Sequence, residues 1–207
     1  MVENSTGKCA KCGIALTKRK MEKHVLECFQ DESGTPMLCL RVDGGGPYWL
    51  YVAAKEFAPL AELDGLLRRV WLECCGHLSS FECPSGTYWS SPEYGEKGMK
   101  GGSIIVALPA GRAVHYEYDF GTTTVISITR VGELKAMVEK PVFVMARNDM
   151  PEMACELCKN APATRISRLD NKLVCGACGD NMKKDKEYLL PYVNSPRTGM
   201  CGYTGED

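Results

Sequence analysis

Apolar residues change their spacing along the 207-residue chain in a way that predicts its elements. MLCLRV, from Met37, is a short continuous apolar run and predicts a strand. DGGGP follows as a turn, since glycine permits unusual backbone angles and proline fixes one. YWLYVAA is aromatic and β-branched and predicts a second strand. In PLAELDGLLRRVWLECCG, residues Leu60, Leu63, Leu67, Val70 and Trp71 recur at helical spacing with Leu66 beside them, which predicts an amphipathic helix. Pro59 suits its first turn and Gly76 its end. HLSSFEC, SIIVAL, AVHYEYDF, TTTVISITRV and PVFVMA read as strands, and YGEKGMKGG as a glycine-rich loop. Near the C-terminus, APATRISRLDNKLV alternates enough for a hairpin, and GDNMKKDKEYLL reads as a helix. Many strands around one good helix predict an α+β domain.

Composition narrows the class. Hydrophobic residues make up 44% and charged residues 25%, which is ordinary globular usage. No apolar stretch is long enough to span a bilayer and no signal peptide opens the chain, so a cytoplasmic protein is expected. Net charge is −1 but uneven. Residues 1–30 hold six Lys/Arg against three acids, residues 31–150 eleven against fifteen, and residues 151–207 eight against eight. Setting aside Glu206 and Asp207 at the very end, both ends are basic and the middle is acidic, which points to an anionic partner at the ends.

Twelve cysteines in a reducing compartment, several of them in pairs two residues apart, point to metal binding rather than disulfides. The first group is Cys9-x2-Cys12-x11-His24-x3-Cys28. Two cysteines form a knuckle, and a His and Cys four apart on one helical face complete a tetrahedron. Leu16, Met21 and Val25 would form the small core of such a finger, and metal binding would supply its folding energy. The second group, Cys155-x2-Cys158-x16-Cys175-x2-Cys178, has zinc-ribbon or treble-clef spacing; iron is the chemical alternative for four thiolates. Four protein ligands leave no open position, so both ions would be structural. The expected complement is two Zn2+.

CAKCG and EKHVLEC resemble the LYAR-type zinc finger. The resemblance covers some 20 residues and implies a nucleic-acid- or ribosome-associated role, with Lys18, Arg19, Lys20 and Lys23 facing phosphate. LAELDGLLRRVWLECCGHLSSFE and HYEYDFGTTTVISI resemble the plasmid pRiA4b ORF-3-like family over about half the chain. That resemblance implies an α+β domain with strands curled around its helix and names no activity. The family usually places an acidic residue, a small residue and Trp after YDFG, where this chain has Thr122, Thr123 and Thr124.

These readings divide the chain into a finger (residues 1–30), a central α+β domain (37–150), a four-cysteine module (151–192) and a mobile tail (193–207). The leading functional expectation is a non-enzymatic zinc protein that binds RNA, DNA or a ribonucleoprotein through basic surfaces. A protein–protein adaptor is the first alternative. The second is an enzyme. Strand alternation puts His115, Glu117 and Asp119 on one face, with His77 nearby, as candidates for acid–base chemistry. An exposed polar strand face backed by an aromatic core face explains the same pattern. Cys74 and Cys75 are adjacent, make a poor knuckle and read as small buried residues, as do Cys39 and Cys83. Cys201 reads as a free thiol.

Overall fold

A computed structural model describes residues 5–95, 97–182 and 186–205. The strands are β1 (Thr6–Cys9), β2 (Ala15–Thr17), β3 (Thr35–Asp43), β4 (Trp49–Lys55), β5 (Ser79–Cys83), β6 (Gly86–Trp89), β7 (Lys97–Gly98), β8 (Ala113–Tyr118), β9 (Thr124–Ala136), β10 (Val142–Asn148), β11 (Arg165–Ser167), β12 (Leu173–Val174) and β13 (Leu189–Pro191). The helices are α1 (Lys18–Cys28), α2 (Leu60–Leu67), α3 (Ile104–Ala107) and α4 (Gly176–Asn181). The architecture is α+β. One ten-stranded sheet runs β2-β1-β10-β4-β3-β9-β8-β5-β6-β7, and a small second sheet runs β12-β11-β13. Pairing is antiparallel except at the short β6–β7 edge. No helix among the described residues is long and apolar enough to cross a membrane.

The central strands explain the organisation. Leu38, Leu40 and Val42 of β3 and Leu50, Val52 and Ala54 of β4 pack with Leu60, Leu63, Leu67 and Trp71 on one side of the sheet. Their alternating neighbours, Met37, Cys39, Trp49, Tyr51 and Ala53, pack on the other side with Met21 and Val25 of α1. A strand covered on both faces reads as a continuous apolar run, which is why MLCLRV and YWLYVAA show no alternation. The finger is therefore not a self-contained unit. Its helix covers the second face of the central sheet, and β1 pairs with β10 from Gly7 opposite Asn148 to Cys9 opposite Ala146. Gly7 permits this pairing, because a Cβ there would collide with the Arg147 carbonyl and the Trp49 ring.

Three expectations change. SIIVAL forms the short helix α3, with Ile104 buried and Val106 exposed; a brief apolar run has no period of its own to separate strand from helix. The expected helix GDNMKKDKEYLL is not continuous: it holds the end of α4, through Asn181, and a 3-10 turn, Lys186–Tyr188, while Leu189 and Leu190 join β13 on the open edge of β11; residues 183–185 lie outside the described part. The tail is anchored, not mobile, over its described residues. Ser195, Arg197 and Tyr203 are buried, and Ser195 Oγ donates to the Trp71 carbonyl at 2.6 Å. The amphipathic helix keeps its expected apolar face, but α2 ends at Leu67 and continues as a π-helical turn, Arg68–Leu72.

Met21 is fully buried between α1 and the sheet. Met21→Ala is expected to lower global stability by about 3 kcal/mol in urea denaturation. A finger folding by itself would leave the main transition unmoved.

Candidate metal centres

Three Cys/His groups could hold a metal ion: Cys9, Cys12, His24 and Cys28; Cys155, Cys158, Cys175 and Cys178; and Cys74, Cys75, His77 and Cys201. Within each group the ligand atoms all lie within 4.8 Å of one another. All twelve cysteines are free thiols. The expected count of two is thus corrected to three candidate sites.

The first group is built by a knuckle and a helix. Cys9 ends β1, and the Gly13 N–H donates to the Cys9 carbonyl at 2.9 Å while Gly13 takes a left-handed φ of 76°. That turn brings Cys12 back beside Cys9. His24 and Cys28 stand one turn apart on α1. Cys9 Sγ and Cys28 Sγ are 3.9 Å apart, and Cys12 Sγ lies 3.3 Å from His24 Nε2. A tetrahedral zinc has edges of about 3.8 Å between sulfurs and about 3.5 Å between sulfur and nitrogen, given bond lengths near 2.3 and 2.0 Å. The donor set and its spacing fit that ion.

The second group repeats the device. The Lys159 N–H donates to the Cys155 carbonyl at 2.9 Å, with Lys159 at φ 61°. The Cys178 N–H points at Cys175 Sγ at 3.5 Å, and Cys158 Sγ is 3.9 Å from Cys175 Sγ. The β11–β12 hairpin and α4 present the second pair, as the sequence predicts. Backbone N–H groups, that of Cys158 foremost, pull the Cys155 thiol down to about 6. The hydrogen bond to Cys175 pushes Cys178 up to about 12. Four thiols this close cannot all ionise without a cation, and a divalent ion would take all four as thiolates.

The third group joins segments far apart in the chain. Cys74 and Cys75 follow the π-helical turn, Gly76 reverses the chain at φ 73°, and His77 comes next. Cys201 arrives from the tail at φ 53°. Its Sγ lies 3.5 Å from both Cys75 Sγ and His77 Nε2. Cys75 is exposed, so the reading of Cys74 and Cys75 as two small buried residues does not hold. Cys39 is fully buried as expected, whereas Cys83 is half-buried.

The acid–base candidates separate. Asp119 lies past the end of β8 with a left-handed φ of 64°, which takes it off the face of His115 and Glu117. His115 pairs across to Glu82 in β5, whereas the Asp119 N–H donates to the Leu78 carbonyl beside His77. About 10 Å of strand separates His115 from Tyr118, the last residue of β8, and Asp119 lies in the turn beyond it. Only His77 and Asp119 come together, with Nδ1 and Oδ1 3.5 Å apart.

Sequence reasoning missed the polar network behind this group. Arg197 is fully buried and its guanidinium meets Asp119 Oδ2 at 2.5 Å. It also donates to the Thr122 carbonyl and to Thr124 Oγ1, each at 3.1 Å. Burial alone would raise the Asp119 carboxyl, but Arg197 and the Gly121 and Thr122 N–H groups outweigh it and hold the carboxyl below its usual range. Asp64 accepts from Arg68, Ser79 and Tyr116, and Glu73 accepts from Tyr118. Both Arg68 and Arg197 stand 4.8 Å from the Tyr118 ring centroid. The polar tips of the YEYD stretch therefore bind the helix stretch and the tail. Asp64 and Arg68, an oppositely charged pair one turn apart, were the available signal.

Asp119→Asn leaves the Arg197 charge buried without its counter-ion. A loss of about 3 kcal/mol in chemical denaturation is expected. Arg130, paired with exposed Glu133, provides the control: Glu133→Gln should change stability by less than about 1 kcal/mol.

Comparison with known proteins adds little. No family model matches the chain, and no curated protein matches it. Among solved structures, it is similar to a crystal structure of a protein of unknown function, MM3350, from Methanosarcina mazei Go1. That match has 18% sequence identity and a TM-score of 0.45, and covers 55% of this chain and 68% of that one.

Proposed function

We propose that this is a zinc-structured binding protein that grips the phosphate backbone of RNA or DNA with the N-terminal end of α1. One observation carries the reading. The helix opens with Lys18, Arg19 and Lys20, has no acid in its first turn, and its Thr17 N-cap makes no side-chain hydrogen bond. Cations at a helix N-terminus oppose the positive end of the helix dipole, so this arrangement costs stability by itself. An anion bound there offsets the cost twice, by meeting the cations and by meeting the first-turn N–H groups beyond that of Lys18, which donates to the Ser5 carbonyl. Local rules are broken in this manner where a partner compensates.

The side chains divide accordingly. Lys18 is half-buried and paired with Asp43, which removes it from the expected phosphate-facing set. Arg19, Lys20 and Lys23 are exposed and line an open depression with Thr17, His24 and Glu27. Arg19 and Lys20 make no ion pair among the described residues, and Lys23 faces Glu27 at 3.6 Å, an exposed pair of little strength. Zinc at Cys9, Cys12, His24 and Cys28 would hold this helix in place without taking part in the contact. The resemblance of CAKCG and EKHVLEC to LYAR-type fingers points the same way.

Fluorescence anisotropy with a labelled RNA hairpin and a DNA duplex tests the reading. Affinity is expected to fall steeply with salt, and Arg19→Ala/Lys20→Ala is expected to weaken binding roughly tenfold and to reduce the salt slope by about 2. No binding at low salt, or binding that the double substitution leaves unchanged, would contradict it. Binding of a protein partner with little salt dependence would favour an adaptor instead.

A further inference from the structure

We propose that Cys74, Cys75, His77 and Cys201 form a third zinc site, which clasps the C-terminal tail to the central domain. It is independent of the nucleic-acid reading and of the two groups recognisable by spacing.

Geometry supports the donor set. Four ligand atoms lie within 4.8 Å of one another, as they do in the other two groups. Two edges at Cys201, 3.5 Å to Cys75 Sγ and 3.5 Å to His77 Nε2, are within a few tenths of an ångström of a zinc tetrahedron's edges. Adjacent cysteines chelate poorly on an extended or helical backbone. Here the chain breaks between helical and extended structure at Glu73 and turns at Gly76, whose N–H donates to Glu73 Oε1 at 2.6 Å. The turn swings Cys74 and Cys75 toward one point.

The surroundings support it independently. Asp119 Oδ1 faces His77 Nδ1, which leaves Nε2 as the nitrogen directed at the sulfurs. A carboxylate behind a histidine is the arrangement that orients imidazole ligands of metals. The ring is also braced edge-on against Tyr118, with centroids 5.7 Å apart at 88°. Arg197 holds Asp119 from the far side, and its guanidinium also lies beside Cys74. Three thiolates, a neutral imidazole and Zn2+ leave one net negative charge, and the Arg197 guanidinium is the buried cation beside it. The same arginine thus serves the metal ligand's orienting group and the charge of the site.

With four protein ligands the site is closed, so its role is mechanical. It would cross-link residues 74–77 to residue 201, adding to the hold that Asn194, Ser195, Arg197 and Tyr203 have on the tail. Cys75 is exposed and the other three ligands are half-buried, so this ion is the one a chelator would reach first.

Native mass spectrometry of protein grown with zinc and purified without chelator should show three zinc ions per chain, falling to two in Cys75→Ser/Cys201→Ser. The same loss should follow Cys158→Ser/Cys178→Ser, as a control. Two ions in the wild type, or an unchanged count in the Cys75→Ser/Cys201→Ser protein, would overturn the proposal. Alkylation of the wild type needs no variant. Cys75 should resist iodoacetamide until chelator is added, and then react at least tenfold faster. Reaction at the rate of an exposed free thiol before chelation, or a Cys75–Cys201 disulfide in a metal-free chain, would overturn the proposal as well.

Discussion

The structure depends on burying both faces of β3 and β4. Leu38, Leu40, Leu50 and Val52 look toward α2, while Met37, Cys39, Trp49 and Tyr51 look toward α1. Six of the seven residues of β4, Trp49 to Ala54, are fully buried, and the backbone alternation sends apolar groups to both sides. A sheet of this kind needs cover on each face. The second cover is an 11-residue helix whose own mean composition is polar and basic, and such a helix is marginal alone. Its position rests on Met21 and Val25 beneath it and on the Cys/His group at its end. A metal ion bound at that group would therefore be coupled to folding of the central sheet.

A second set of constraints acts at the opposite end of the sheet order. Tyr116, Tyr118 and Asp119 leave the end of β8 with their polar tips directed to Asp64, Glu73 and Arg197 in turn. Tyr116, Tyr118 and Asp119 each find a partner from another segment, which limits the penalty of burying them, while Trp71 Nε1 and Arg197 Nε are buried without a hydrogen-bond partner among the described residues. The consequence is that helix, strand and tail are registered to one another within a single network. The third Cys/His group sits at its solvent edge, where His77 and Cys201 are already brought together.

Legibility followed sequence distance. The groups at residues 9–28 and 155–178 were readable because each knuckle is local and its spacing is a property of the backbone turn. α2 was readable from its period, β3 and β4 from unbroken apolar runs and β8 from alternation, whereas the short strands β1, β2, β6, β7 and β13 left no such signal. The third group was not, since Cys201 lies 124 residues from His77 and nothing local marks the encounter. Arg197 was equally hidden: one charge in a Ser/Pro/Gly-rich stretch reads as a solvated tail. Asp119 misled in a different way, because alternation assumes a continuous strand and its left-handed backbone ends that strand. The finger's apparent independence came from its compact motif, while the odd-numbered residues of β3 and β4 already required a covering helix.

Hydrogen–deuterium exchange before and after complete metal removal tests the coupling of metal and sheet most directly. Loss of protection in β1, β2 and α1, together with loss in the β10 amides around Ala146 and Asn148 that face β1, is the expected result. If α1 and β10 keep their protection in a chain shown by mass to hold no metal, the second face of the sheet is held by apolar packing alone, and the metal groups are accessory to the fold.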